Sequence, residues 1–290
     1  MTRSRTAAAG GGTTAAMAAP RTALVTGSTN GIGKATALAL AKAGLRVVIH
    51  GRNRPKVDAA LAELAAAVPG ADLHGVSFDL GSFTTVRRGA AEVLAAVDRL
   101  DVLVCNAGIY ANERVLVADG LEATLAVNHV GHVLLTELLH ERLIASAPAR
   151  VIVVSSVAHT RGRIHLDDLS LAGAYTGYAA YAQSKLANLM HALDLAAAHD
   201  PKVLAAYALH PGVISTKLLR DGFAGMRGAG VSQGAATIVK LATAEAIAEP
   251  SGTYYNEGVP TPPSASARDA AVRAALRAAT LAFAGLPAEA

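Results

Sequence analysis

The sequence contains no tryptophan, one cysteine, and only four phenylalanines and seven tyrosines in 290 residues. A lone cysteine rules out a disulfide within the chain, so the fold has to rest on burial rather than covalent staples, and a reducing cytoplasmic setting is expected. That cysteine, Cys105, ends the apolar run Val102–Cys105 with no cationic neighbour in sequence, which reads as a small buried hydrophobe and not a reactive thiol. Long apolar runs are missing too. Apolar residues make up 52% of the chain, yet no stretch approaches the roughly 18 uninterrupted apolar residues that a membrane span requires. Charge of one sign is nowhere concentrated: 26 basic residues are interleaved with 22 acidic ones for a net +4. Without a basic stripe to track a phosphate backbone, nucleic acid is not an expected partner. The ten histidines are dispersed with no His or Cys cluster at ligand spacing, and no metal site is expected.

What is present is a period. Residues 1–20 are mostly Ala, Gly and Thr and read as a disordered tail. A secretory signal is the alternative, with Arg3 and Arg5 as its charged start, but the Leu-rich core of such a signal is lacking. Met17 offers a second initiation point. From Thr22 onward short apolar runs alternate with helical patterns. Strands are expected at 23–26, 46–50, 73–78, 102–105, 151–155, 204–209 and 253–255. Helices are expected at 32–43, 55–67, 83–97, 122–146, 178–199 and 232–246, with a short one over 268–283 after a proline-rich lapse. This alternation predicts one α/β domain over residues 21–290, a doubly wound Rossmann-type parallel sheet of about seven strands with helices on both faces.

The first strand runs into Thr26, Gly27, Ser28, Thr29, Asn30, Gly31, Ile32 and Gly33, and a helix follows at once. Gly27 permits the sharp turn, Gly31 lets backbone approach a pyrophosphate, and Gly33 lets the helix pack on its strand, so the unit reads as a dinucleotide site at a helix N-terminus. Farther on, Tyr181 and Lys185 stand four apart on a helix, hence on one face about 6 Å apart at Cβ. An ammonium beside a phenol whose ordinary pKa is ~10 favours the phenolate and makes a usable acid/base. Tyr178 has no lysine four residues on and is set aside.

Three residues separate the first two glycines, and that spacing resembles the cofactor loop of the short-chain dehydrogenase/reductase family. Other segments carry the same resemblance: Asn106, Ala107, Gly108 after the fourth strand, Asn128 in the following helix, Ser155 and Ser156 at the end of the fifth strand, Tyr181 to Lys185, and His210 to Thr216. Together they span roughly residues 22–256. The resemblance implies that Ser156, Tyr181, Lys185 and Asn128 are catalytic. Ser156 would polarise the substrate oxygen and Lys185 would hold the nicotinamide ribose, while Asn128 would kink its helix and hold a water for proton relay. It implies cofactor contacts at Asn106, Ala107, Gly108, Pro211, Gly212, Val213 and Thr216, adenine contacts at Asp79 and Leu80, a substrate lid over 218–230, and part of the substrate wall in 161–176. It also implies a homodimer or homotetramer paired through the helices 122–146 and 178–199.

The second strand ends Val48, Ile49, His50, Gly51, Arg52, Asn53 without the carboxylate that an NAD ribose would use. Arg52 is suited to a 2′-phosphate, with Lys34 as weaker support, so NADP(H) is preferred and NAD(H) stays open. The segment from Val154 to His165, Ser184 to Asn188 and the stretch 252–263 resemble the retinol dehydrogenase-like branch, which implies a hydrophobic alcohol, aldehyde or ketone as substrate. The rival readings are a catalytically silent NADP(H)-sensing or scaffold protein of the same fold, and a Rossmann-type methyltransferase, which would have no use for Tyr181 and Lys185.

Overall fold

An apolar run such as Val102–Cys105 has no polar face to offer water and must be covered on both sides. In the computed structural model, which describes residues 20–117, 120–223 and 225–287, that run is a middle strand of one eight-stranded sheet. The strands are β1 (Thr22–Val25), β2 (Arg46–Gly51), β3 (Leu73–Ser77), β4 (Val102–Cys105), β5 (Ala149–Val154), β6 (Leu204–His210), β7 (Tyr254–Asn256) and β8 (Val259–Thr261). Their order is β3-β2-β1-β4-β5-β6-β7-β8. All neighbours are parallel except β7 and β8.

The alternation along each strand splits the core in two. Leu24, Val48, Leu103, Cys105, Val151 and Val153 face one layer with the apolar sides of α3 (Phe83–Ala96), α5 (Gly131–Ala145) and α6 (Gly177–Ala198). Ala23, Val25, Val47, Ile49, Val102, Val104, Ile152 and Val154 face the other, with α1 (Gly31–Lys42), α2 (Arg54–Ala67) and α8 (Val231–Thr243). Cys105 is fully buried, and burial pushes its thiol up to about 12, so it is the inert hydrophobe the sequence implied.

Three differences from the expected pattern have physical reasons. The eighth strand falls where prolines argued for loop. Among the described residues it sits at the sheet edge and pairs with β7 alone, so the missing N–H of Pro260 leaves no gap in the ladder's interior. The helix expected over 122–146 is three pieces: α4 (Ala123–Leu125), a π turn over Ala126–Val130 that carries Asn128, and α5. The C-terminal helix begins as α9 (Ala265–Arg268) and continues as α10 (Ala270–Phe283), separated by Asp269, whose carboxylate caps the second piece. Leu276, Thr280 and Leu281 of α10 are buried. Ion pairs Arg277–Glu137 (3.0 Å) and Arg273–Asp194 (2.9 Å) tie α10 to α5 and α6. The tail expected over residues 1–20 lies, except for Pro20, outside the described residues. No described helix is long and apolar enough to cross a membrane.

Candidate active site

Sheet order reverses between β1 and β4, where crossovers run to opposite sides and the carboxyl ends of the strands leave a crevice. The glycine turn stands there. Gly27 and Gly31 have φ of +65° and +58°, the left-handed region open to glycine. A Cβ on Gly33 would collide with Gly27 O, so α1 packs directly on the turn. Asn30 caps α1, its side chain accepting from Gly31 N at 2.7 Å. A Cβ built on Gly31 would meet nothing closer than Thr216 Cγ2 at 3.5 Å, which leaves a bare backbone cradle facing the segment that precedes α7 (Lys217–Gly222).

The cradle is braced from behind. Thr26 Oγ1 accepts the N–H groups of Asn106 (2.9 Å) and Ala107 (3.0 Å), and Asn106 Nδ2 donates to Thr26 O at 2.8 Å, clamping the ends of β1 and β4 together. His50, which the sequence reading passed over, is the second brace. Its Nδ1 accepts the Gly27 N–H at 3.1 Å and its Nε2 bonds Phe78 O at 3.0 Å. Because a backbone N–H can only donate and a carbonyl only accept, this imidazole is neutral with its proton on Nε2, and burial lowers its pKa to about 4.

From the cradle a cavity of about 480 Å³ runs across the sheet ends to Tyr181. It is lined by Gly27, Thr29, Asn30, Gly31, Ile32 and Gly33, by Arg52, by Asp79 and Leu80, by Asn106, Ala107 and Gly108, and by Pro211, Gly212, Val213 and Thr216. Of the expected cofactor residues, Ser28 and Asn53 do not line it. Ser28 is buried and its hydroxyl donates to Val25 O at 2.7 Å, while Asn53 caps α2. Lys34 is engaged in an ion pair with Glu63. Arg52 is exposed at the cavity's edge, where an anion would meet an unburied guanidinium.

At the far end Ser156, Tyr181 and Lys185 line the cavity together, 9%, 6% and 2% exposed. Ser155, one residue earlier, also borders the cavity, but its hydroxyl donates to Lys185 O at 2.7 Å, and it is Ser156 whose hydroxyl bonds the Tyr181 phenol. Lys185 Nζ donates to Val154 O at 3.0 Å and lies 5.6 Å from the centre of the Tyr181 ring. Burial pulls the Lys185 ammonium down to about 8. The same burial pushes the Tyr181 phenol up to about 12, and the hydrogen bond from Ser156 offsets only part of it. The sequence implies that the ammonium of Lys185 favours the phenolate; burial is the largest influence on the Tyr181 phenol here and acts the other way. Asn128 is fully buried behind the cavity wall. It exchanges two hydrogen bonds with Ile109, Ile109 N to Oδ1 at 2.8 Å and Nδ2 to Ile109 O at 3.0 Å, and also donates to Ser184 Oγ at 3.0 Å. It sits in the π turn Ala126–Val130, at the place where the resemblance implies a kink.

This end is mostly apolar. Val157, Ala158, Tyr178, Leu218, Leu219, Phe223 and Met226 line it beside Lys217, with the last four apolar residues on α7 and the chain after it. Tyr178 is 38% exposed against 6% for Tyr181, which separates the two tyrosines as their spacing to Lys185 did.

Residues 21–226 match the family described as short chain dehydrogenase. Among curated proteins the chain is 35% identical over 285 residues to human retinol dehydrogenase 13, covering 92% of this chain and 86% of that one. It is 37% identical to mouse retinol dehydrogenase 12, covering 81% and 77%. Among solved structures it resembles an uncharacterized protein from Mycobacterium paratuberculosis (TM-score 0.75, 33% identity, 92% and 94% covered). The 3-oxoacyl-[acyl-carrier protein] reductase from Brucella melitensis in complex with NAD is similar at TM-score 0.66 and 25% identity, with 82% and 96% covered. The Pseudomonas aeruginosa RhlG/NADP complex follows at TM-score 0.68 and 27% identity, with 82% and 95% covered.

Proposed function

The chain belongs to the short-chain dehydrogenase family, in its retinol dehydrogenase-like branch, and is an oxidoreductase acting on CH–OH or C=O groups; from that premise we propose that it moves a hydride between NADP(H) and a hydrophobic alcohol, aldehyde or ketone, with Tyr181 as the acid/base. The observation that carries this reading is the convergence of Ser156, Tyr181 and Lys185 in one cavity continuous with the glycine cradle. The bare backbone at Gly31 and the exposed Arg52 fit a phosphorylated dinucleotide, with the turn Gly27–Gly33 on its pyrophosphate and Arg52 on a 2′-phosphate. When bound, the nicotinamide supplies or accepts the hydride.

The protein's own groups handle the proton. With its phenol held at about 12, Tyr181 is protonated at neutral pH and is ready to donate to a carbonyl oxygen in the reductive direction. Ser156 Oγ donates to the same oxygen and stabilises its developing negative charge in a water-poor site. Lys185, with one of its three N–H groups on Val154 O, has two left for a ribose hydroxyl and for the tyrosine side of the site. Asn128 supports this by pinning Ile109 at the cavity wall. The apolar groups on and after α7 favour a hydrophobic substrate.

The test is NADPH consumption, followed by absorbance with a panel of hydrophobic aldehydes and ketones, with Tyr181→Phe run alongside. Turnover by the wild type and none by the variant is the expected result. NADPH binding with no turnover by either protein across the panel would favour the catalytically silent sensing role, and preference for NADH would overturn the role given to Arg52.

A further inference from the structure

Tyr110 is neither cofactor cradle nor acid/base, yet α6, α7 and Phe223 all meet its ring. The base of its ring lies against Gly222, the last residue of α7: a Cβ there would stand 2.6 Å from Tyr110 Cγ and Cδ2. The tip lies against Gly177, the first residue of α6, where a Cβ would stand 2.8 Å from Cε1. The ring thus sits between two glycines at positions where a Cβ would not fit beside it, Gly177 being pressed against Ala111 O as well. The ring is also packed on Tyr181 (centroids 5.6 Å) and edge-on to Phe223 (5.3 Å), while Phe223 lies 5.9 Å from Tyr181. Asn112 Nδ2 adds a hydrogen bond to Asp221 O at 3.2 Å. The segment carrying Tyr110 is itself held, since its neighbour Ile109 exchanges two hydrogen bonds with Asn128.

We propose that Tyr110 is the latch of the substrate lid: its ring, seated in the Gly177–Gly222 slot, holds α7 closed so that Phe223 covers the acid/base tyrosine and sets the shape of substrate the site accepts. The rest of the geometry agrees. Phe223 and Leu218 are partly buried against the cluster of Ala158, Tyr181 and Ala182, and so is Tyr110, whereas Met226 just beyond is 53% exposed. The apolar contact holding α7 down is thus shared between this cluster and the buried Leu219. Substrates must pass Phe223, and the lid closes only when Tyr110 regains the slot. This role rests on the proposed reductase reading, but its geometry does not.

The experiment is a cycle of Gly222→Ala, Tyr110→Ala and the double variant, read in two ways. Lys217, Arg220 and Arg227 lie in or beside the lid, so limited trypsin digestion reports its opening without any substrate. Each single variant is expected to be cut there faster than wild type, with the thermal midpoint of the whole protein little changed. The double variant is expected to match Tyr110→Ala alone, because the methyl group then has an empty slot to occupy. In the activity arm, KM for a bulky carbonyl rises roughly 10- to 100-fold in both single variants with kcat less affected, as misplacement of a closing element predicts. A Gly222→Ala chain cut at the wild-type rate, or a double variant whose effects multiply, overturns the latch. Absence of turnover in the wild type would count against the reductase reading, and the digestion pattern would still decide the latch.

Discussion

His50, His129 and His132 are each at most 3% exposed, and each is placed so that its neutral form is the one that fits. His50 accepts the Gly27 N–H. His132 bonds Asn128 O through Nδ1 (2.9 Å) and faces Thr26 Oγ1 through Nε2 (2.8 Å), and His129 faces Thr280 Oγ1 (3.1 Å) beneath α10. Burial is the largest cause of all three shifts, lowering His50 and His129 to about 4 and His132 to about 3. In the unfolded chain each titrates near the ordinary histidine value of ~6.5. A depressed folded pKa contributes stability that is fully present above the unfolded value and is lost as pH falls from there toward the folded value. At pH 5 the unfolded state binds close to a full proton at each site and the folded state almost none, a difference of about 2 kcal/mol per group and about 5 to 6 kcal/mol for the three relative to pH 7. His191, also driven down by burial, acts in the same direction, while the raised carboxyl of Asp194 opposes it. Against a total stability of about 5–15 kcal/mol this is a large loss. Thermal unfolding followed by circular dichroism at pH 7 and pH 5 should show the midpoint fall by roughly 10 °C, the quotient of that loss and an unfolding entropy of about 2 cal/mol/K per residue. His132→Gln, which cannot take up the proton, should remove about 2 kcal/mol of that pH sensitivity. A fall of less than about 5 °C would refute the reasoning, because it would mean these imidazoles are protonated at little cost in the folded state.

Tyr181→Phe should reduce kcat by roughly 10²- to 10⁴-fold with NADPH affinity retained, read by steady-state rates beside fluorescence titration. Ser156→Ala should cost roughly 10²- to 10³-fold through loss of the hydrogen bond to the developing oxyanion. Because the Lys185 ammonium is pulled down to about 8, kcat/KM for reduction should decline as pH rises through that value, and Lys185→Arg, which keeps its charge, should abolish that limb. Arg52→Ala should weaken NADPH by roughly tenfold or more and leave NADH nearly unchanged, since only the former carries the 2′-phosphate. Sedimentation should give a dimer or tetramer of the 29.3 kDa chain, paired through α5 and α6 as the resemblance implies, and a monomer would overturn that pairing.

Local chemistry and period were sufficient for much of this protein. The alternation of apolar runs with helical patterns determined the parallel sheet, because a run such as Val102–Cys105 can be satisfied only between two layers. The glycines after β1, and a tyrosine and lysine one helical turn apart, determined the kind of chemistry, because few folds need those residues in that order. Distance in sequence hid the rest. That Ser28 accepts the His50 N–H and braces β1 against β2, that Lys34 is taken by Glu63, and that His50 holds the glycine turn are decided by partners 22 to 29 positions away. Whether Lys185 or desolvation governs the phenol of Tyr181 depends on how completely α6, β5 and the lid exclude water. The slot between Gly177 and Gly222 exists only once α6 and α7 meet around Tyr110, since a glycine that makes room for a ring has no side chain of its own to announce it.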